Sequence, residues 1–368
     1  MEFRGITIFG GVNITPPPPP PPYYIWSWGS NSSGRLGLGD TTTRSSPTQI
    51  GALTNWLNVA AGGYHGTAIK ADGTMWAWGI NNVGQLGLGN TTAYSSPKQV
   101  GALTTWSKIA GGRDHTMAVK TDGTLWSWGG NGYGQLGVGN TTAYSSPKQV
   151  GTLTTWSTVS AGRFFTLANK TDGTLWSIGS GGNEATQGRS GSSPVQVGTD
   201  TNWSTFANSW YHVLAIKTNG TMWTWGSGQT GRLGVGDTAN RPDPTQIGAL
   251  TTWSKLAVHS AGSVAIKTDG TMWAWGNNDE GQLGLGSTTD NSSPVQIGAL
   301  TNWSSVSAGP RHVLAIKTDG ALWAWGGNGN GQVGDSTITS RSSPVQIGSL
   351  TKWLNVAGGS YFSLAVSN

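Results

Sequence analysis

Tyr24-Ile-Trp-Ser-Trp28 near the start of the chain and Phe362-Ser-Leu-Ala-Val-Ser-Asn368 at its end are each half of a hairpin. Between them the other halves always come as pairs, as in His115-Thr-Met-Ala-Val-Lys120, then Thr121-Asp122-Gly123, then Thr124-Leu-Trp-Ser-Trp128. Asp-Gly between two alternating apolar runs is a strong hairpin signal and predicts a turn in which both residues take positive φ. The turn recurs at Asp72-Gly73, Asp172-Gly173, Asp269-Gly270 and Asp319-Gly320, and as Asn219-Gly220. Six hairpins are therefore continuous in sequence. The seventh can form only if the first strand meets the last.

Working outward from the hairpins, Trp-x-Trp-Gly starts at Trp26, Trp76, Trp126, Trp223, Trp273 and Trp323, with Trp176-Ser-Ile178-Gly as a seventh copy. A further Trp marks each unit at Trp56, Trp106, Trp156, Trp203, Trp253, Trp303 and Trp353; Trp210 alone stands outside the repeat. Each unit reads as four short strands, the other two lying around Val-Gln-Ile-Gly and Trp-x-x-Val-Ala. Side chains alternate along a strand, so Trp126 and Trp128 share a face. A lone four-stranded sheet cannot bury that face, but stacked sheets can. An open stack needs polar end caps, and none is visible. The expectation is all-β: a single closed seven-bladed β-propeller of four-stranded antiparallel blades over 23–368, its ring closed by the N-terminal strand pairing with the C-terminal one.

The repeat Trp-x-Trp-Gly-x-Asn-x-x-Gly-Gln-Leu-Gly, followed by Ala-Gly-x-x-His-x-x-Ala and Asp-Gly, resembles the regulator-of-chromosome-condensation repeat. Gly84-Gln-Leu-Gly87, Gly134-Gln-Leu-Gly137, Gly281-Gln-Leu-Gly284, Gly34-Arg-Leu-Gly37 and Gly231-Arg-Leu-Gly234 carry the likeness, which spans 24–368. It implies a propeller. It does not imply one activity, since that family includes nucleotide exchange on a small GTPase, protein inhibition and scaffolding; function has to come from sites.

Composition excludes several chemistries. The 368 residues carry 10% charge, 59 Gly, 21 Trp and no Cys, so disulfides, thiolate metal sites and a Cys nucleophile are out. The net charge of +5 is scattered, six lysines (Lys70, Lys120, Lys170, Lys217, Lys267, Lys317) occupying one repeated position; no nucleic-acid partner is expected. No apolar run is long enough for a membrane span, and Met1-Glu-Phe-Arg4 begins no recognisable secretion signal; no membrane insertion is expected. Glu occurs only at Glu2, Glu184 and Glu280, and the prominent Asp residues belong to turns, so no catalytic residue is assigned. His65, His115, His212 and His312 share a register with Phe165 and Phe362, which marks a packing position rather than a metal ring. His259 falls outside that register and is expected to be exposed. Gly-Gln-Leu-Gly reads as a repeated tight turn, not a phosphate loop. No metal and no cofactor are expected.

Where the units differ is more informative. The loop before the His-register strand holds Gly63-Tyr64, Arg113-Asp114, Arg163-Phe164, Trp210-Tyr211, the His259 region, Pro310-Arg311 and Ser360-Tyr361. By symmetry these loops gather at one face. A constant scaffold bearing variable Tyr, Trp and Arg is the pattern of a recognition surface. The candidate partner-binding set is Tyr64, Arg113, Asp114, Arg163, Phe164, Trp210, Tyr211, His259, Arg311 and Tyr361. The fourth unit departs most: Ile178 replaces Trp, Glu184-Ala-Thr-Gln-Gly-Arg189 replaces Gly-Gln-Leu-Gly, and Trp210 is added, suggesting a contact centred on Phe164, Trp210 and Tyr211.

Residues 1–15 read as an anchoring arm, with Phe3, Ile6, Ile8 and Phe9 as its apolar contacts for strand addition to assembly subunits. Pro16–Pro22 read as a polyproline II linker. With the low charge and near-identical repeats, the arm resembles virion-associated proteins of tailed bacteriophages. The leading expectation is a non-enzymatic structural or adhesion module, virion-associated, held by its arm and binding a protein or surface receptor through the variable face. The alternative is a soluble protein-binding regulator, an inhibitor or GTPase exchange factor.

Overall fold

The computed structural model describes residues 23–180 and 191–368. The expected arm, its linker and Glu184–Arg189 lie outside them. The described residues form seven four-stranded sheets, each antiparallel throughout. Six blades are continuous in sequence: blade 2 spans 56–99, blade 3 106–149, blade 4 156–196, blade 5 203–246, blade 6 253–296 and blade 7 303–346.

Blade 1 is the composite one. Strand β1 (Tyr24–Gly29) pairs with β28 (Phe362–Ser367) in register from Tyr24↔Ser367 to Gly29↔Phe362, flanked by β2 (Arg44–Gln49) and β27 (Trp353–Gly358). Trp26 Nε1 donates to Ser367 Oγ at 2.9 Å across this joint. The orphan strands meet as the unfinished hairpins require. Each innermost strand touches its two neighbours around the ring, including β27 against the first strand of blade 2.

The core lies in the seams between blades. One cluster joins Ile69, Met75 and Leu86 of blade 2 to Trp106, Ile109, Ala118 and Trp128 of blade 3. The equivalent clusters at other seams bury Trp28, Trp78, Trp225, Trp275 and Trp325 completely. A fully buried Trp removes some 200 Å² from water, on the order of several kcal/mol, so each blade depends on its neighbour.

The Asp-Gly hairpin differs from expectation. Blade 3 pairs Val119 with Leu125, Lys120 N donates to Thr124 O at 3.0 Å, and Gly123 N donates to Lys120 O at 3.0 Å. The loop is thus three residues, Thr121-Asp122-Gly123, and only the glycine has positive φ (+76°). This is the bulged alternative to the two-residue turn. The Asp backbone stays in an ordinary region, from which its carboxylate accepts the Thr124 N–H at 2.9 Å and hydroxyl at 2.6 Å. Gly-Gln-Leu-Gly is the tight turn expected: Gly87 N donates to Gly84 O at 3.0 Å with Gly87 at φ +73°. A Cβ at Gly87 would stand 2.7 Å from Trp128 Nε1 of the next blade. The turn needs glycine for its φ and for this close approach.

Candidate recognition rim

The His-register residues tie blade to blade. Thr116 Oγ1 has one proton and gives it to Gln85 O at 2.8 Å, so at 2.9 Å His65 Nε2 is the donor to Thr116. The same Gln85 carbonyl accepts Trp128 Nε1 at 3.0 Å. His115–Thr166, His212–Ser263 and His312–Ser363 repeat the contact at 2.9–3.0 Å. Where the histidine is absent, so is the hydroxyl: Phe165 faces a seam where the next blade has Val213, and Phe362 one where it has Gly66. Burial holds the imidazoles neutral, pushing His65 down to about 4 and His115 and His312 to about 3. These are packing residues, as read from the sequence.

His259 corrects an expectation. It is 1% exposed, not solvent-facing. His259 pairs across its hairpin with Gly262, which stands in the histidine register. A Cβ on Gly262 would lie 2.4 Å from His259 Cε1. In blade 2 a Cβ on Gly62 would lie 2.2 Å from His65 Cε1. Blade 6 has exchanged the glycine and the histidine, and the ring fills the same space from the opposite strand. The next blade presents Val313, and neither ring nitrogen has a hydrogen-bond partner. Burial, then Arg232, lowers its pKa to about 3.

The variable loops gather at one end of the central channel. The channel holds about 350 Å³ and is walled by residues of all seven inner strands. Gly63, Arg113, Trp210, Ser260, Pro310 and Ser360 line its mouth. The second residue of three loops reaches the preceding blade: Tyr64 meets Arg35, Phe164 meets Tyr133 and Arg311 meets Glu280.

The structure brings Arg163, Phe164, Trp210 and Tyr211 into one cluster. The Arg163 guanidinium carbon lies 4.5 Å from the Phe164 ring centre and 4.4 Å from that of Trp210, bridging blades 4 and 5. Its Nη1 reaches the Tyr211 hydroxyl at 3.5 Å, and its Nε has no hydrogen-bond partner. Two residues not anticipated extend the cluster. Tyr133, 52% exposed, packs against Phe164 with ring centres 4.3 Å apart and planes tilted by 47°, and the Arg232 guanidinium lies 5.4 Å from the Tyr211 ring. The position before Gly-Gln-Leu-Gly varies as strongly as the singled-out loop (Ser33, Val83, Tyr133, Glu280, Asn330), which is the signal that points to Tyr133.

The remaining candidates lie elsewhere on the rim. Tyr64 stacks against Arg35 at 5.1 Å, and Arg35 also feels Tyr361. Arg311 pairs with Glu280 of the preceding blade. Arg113 pairs with Asp114 at 3.2 Å; burial nonetheless raises the Asp114 pKa, opposed by Arg113 and Arg163.

The opposite end of the blades is uniform. Five lysines place Nζ 3.6–3.9 Å from the ring centre of their blade's Trp-x-Trp indole, as Lys120 does on Trp126. Lys70 stands off at 5.9 Å. Six leucines (Leu53, Leu103, Leu153, Leu250, Leu300, Leu350) are 44–48% exposed; in the remaining copy Asp200 takes that place and pairs with Lys217 at 3.0 Å.

Among the described residues no three His, Cys, Asp or Glu side chains converge as a metal site, and no helix is long and apolar enough to cross a membrane. The turn aspartates are structural: the Thr124 hydroxyl, then the Thr124 N–H, holds the Asp122 carboxyl below its usual range.

A closed ring of seven four-stranded blades, with a constant scaffold and a chemically varied rim, defines a seven-bladed β-propeller. The model of the regulator of chromosome condensation (RCC1) repeat matches residues 24–69, 72–119, 122–168, 219–266, 269–316 and 319–366, and a second model of that repeat matches 56–85, 106–135 and 303–332. The chain belongs to the RCC1-repeat family. No curated protein matches it by sequence. Among solved structures it resembles Prp20p of Saccharomyces cerevisiae, described for its binding to Gsp1p and histones (20% identity, TM-score 0.85, covering 94% of this chain and 91% of that one). Similar too are yeast RCC1 (Prp20) bound to Kap60 (20%, TM-score 0.84, 94% and 89%) and human WBSCR16 (21%, TM-score 0.82, 94% and 99%). At this identity the likeness is one of fold.

Proposed function

We propose that this chain is a non-enzymatic, protein-binding regulator that engages its partner through the Arg163 cluster on the variable rim. The observation that carries the reading is the guanidinium held between Phe164 and Trp210, with Tyr133 and Tyr211 exposed beside it. Tyr, Trp and Arg dominate binding hot spots because they bring large rigid area with a polar tip. Stacking fixes the Arg163 plane before a partner arrives, which lowers the ordering cost of association. The RCC1-like relative that binds Gsp1p and histones, and that is itself bound by Kap60, supports a protein as the partner.

This favours a soluble regulator, acting as an inhibitor or an exchange factor does, over an arm-anchored virion module. The latter rests on residues 1–22, outside the described residues, and the RCC1-like neighbours lend it nothing. The test places a photo-crosslinking amino acid at Tyr211 on the rim or at Leu103 at the other end, in the full chain within its native cells. A discrete protein adduct at position 211 and not at 103 is expected. Adducts at 103 alone overturn the assignment of the rim.

A further inference from the structure

At the turn end of the molecule one blade lacks the lysine altogether. In blades 2 to 7 an inner-strand indole and a Trp-x-Trp indole meet edge to face, and a lysine ammonium of the same blade sits over them. Trp106–Trp126 (6.1 Å, 82°) under Lys120 and Trp156–Trp176 (6.0 Å, 78°) under Lys170 are examples. Blade 1 builds the same corner from Trp353 and Trp26, at 5.8 Å and 68°. The residue paired at the lysine position is Ser367, opposite Tyr24. Serine ends at Oγ, so the chain from Cγ to the ammonium has no counterpart. Trp26 Nε1 donates to Ser367 Oγ at 2.9 Å, a bond in the plane of the indole rather than over its face. Trp26 keeps part of its surface in solvent, whereas Trp353 is 3% exposed.

Among the described residues no Lys or Arg is placed over either ring, and the neighbouring Lys352 is exposed. Six corners of one sequence thus show that this geometry holds an alkylammonium, and the seventh offers the rings without the cation. We propose that the Trp26–Trp353 corner binds the ammonium of a lysine side chain presented by a partner protein. The occupant is argued from the six internal ones: a primary ammonium on a four-carbon stem, drawn to an indole face by the ring quadrupole. Such a contact is weak alone and would add to a larger interface at the closing blade.

The test titrates the full-length protein with Nα-acetyl-lysine-methylamide and follows indole Nε1–H resonances, with Trp26→Phe assigning the Trp26 signal. Saturable shifts confined to Trp26 and Trp353 in the millimolar range are expected, with Nα-acetyl-norleucine-methylamide at least about five-fold weaker because it lacks the charge. Ser367→Lys should fill the corner as its six siblings are filled, abolish the shift and raise Tm. Ser367→Met fills it with a neutral chain and should abolish the shift too. No site-specific shift in the native protein, equal binding of the norleucine probe, or unchanged binding in both Ser367 variants overturns the proposal.

Discussion

The two ends of this disc are built from the same repeat and differ in what variation has done to them. At the turn end, five lysines stack on their tryptophans at nearly one distance, and the leucine position is retained in six of seven copies. At the rim, the equivalent loop positions hold Tyr, Asp, Phe, Ala and Arg, and some have found partners on the preceding blade. The scaffold beneath the two ends is shared. The difference teaches that the repeated contacts of the turn end serve the ring, while the rim residues are free to vary.

That contrast can be broken first at what both ends share. Trp128→Ala removes a fully buried indole and its bond to Gln85 O; the expected loss is about 3–5 kcal/mol in denaturant unfolding. A loss under about 1 kcal/mol would mean that the seams are not the core. Acid sharpens the comparison next. The buried histidines have folded pKa values below the ordinary 6.5, so the unfolded chain binds protons that the folded one does not. Stability should be intact above about pH 6.5 and fall as pH drops through the window from 6.5 towards 3–4, by roughly 2 kcal/mol per ring with a folded pKa near 3 at pH 5. The pair His115→Phe with Thr166→Val copies the apolar Phe165/Val213 seam; it should leave neutral stability nearly unchanged and reduce the acid sensitivity measured by Tm against pH.

Smaller effects separate the ends themselves. Lys120→Met should cost about 1 kcal/mol or less, from the lost ammonium–indole contact, with no change in partner affinity. Leu103→Ser should lie within about 0.5 kcal/mol by thermal unfolding, as expected of a surface position outside any network.

Sequence reading reached the architecture because the orphan strands at Tyr24 and Phe362 force closure and the tryptophans repeat with few exceptions. It also placed the four register histidines as packing residues, since a site that accepts Phe165 does not require ionisation. It failed at His259 because the glycine–histidine exchange with Gly262 shows only when paired residues across a hairpin are compared. Both turn residues were expected at positive φ because Asp-Gly serves two loop lengths, and only the strand register chooses between them. Tyr133 was missed because its contact with Phe164 crosses a seam, joining loops 31 residues apart.

Which end of the disc carries recognition decides how the molecule works. The decisive measurement is the affinity, for the protein captured at position 211, of Phe164→Ala/Trp210→Ala against Leu103→Ser/Leu153→Ser, both checked for native Tm. A loss of at least about 30-fold for the rim pair, some 2 kcal/mol, with less than about two-fold for the leucine pair, is predicted. The reverse order would contradict it.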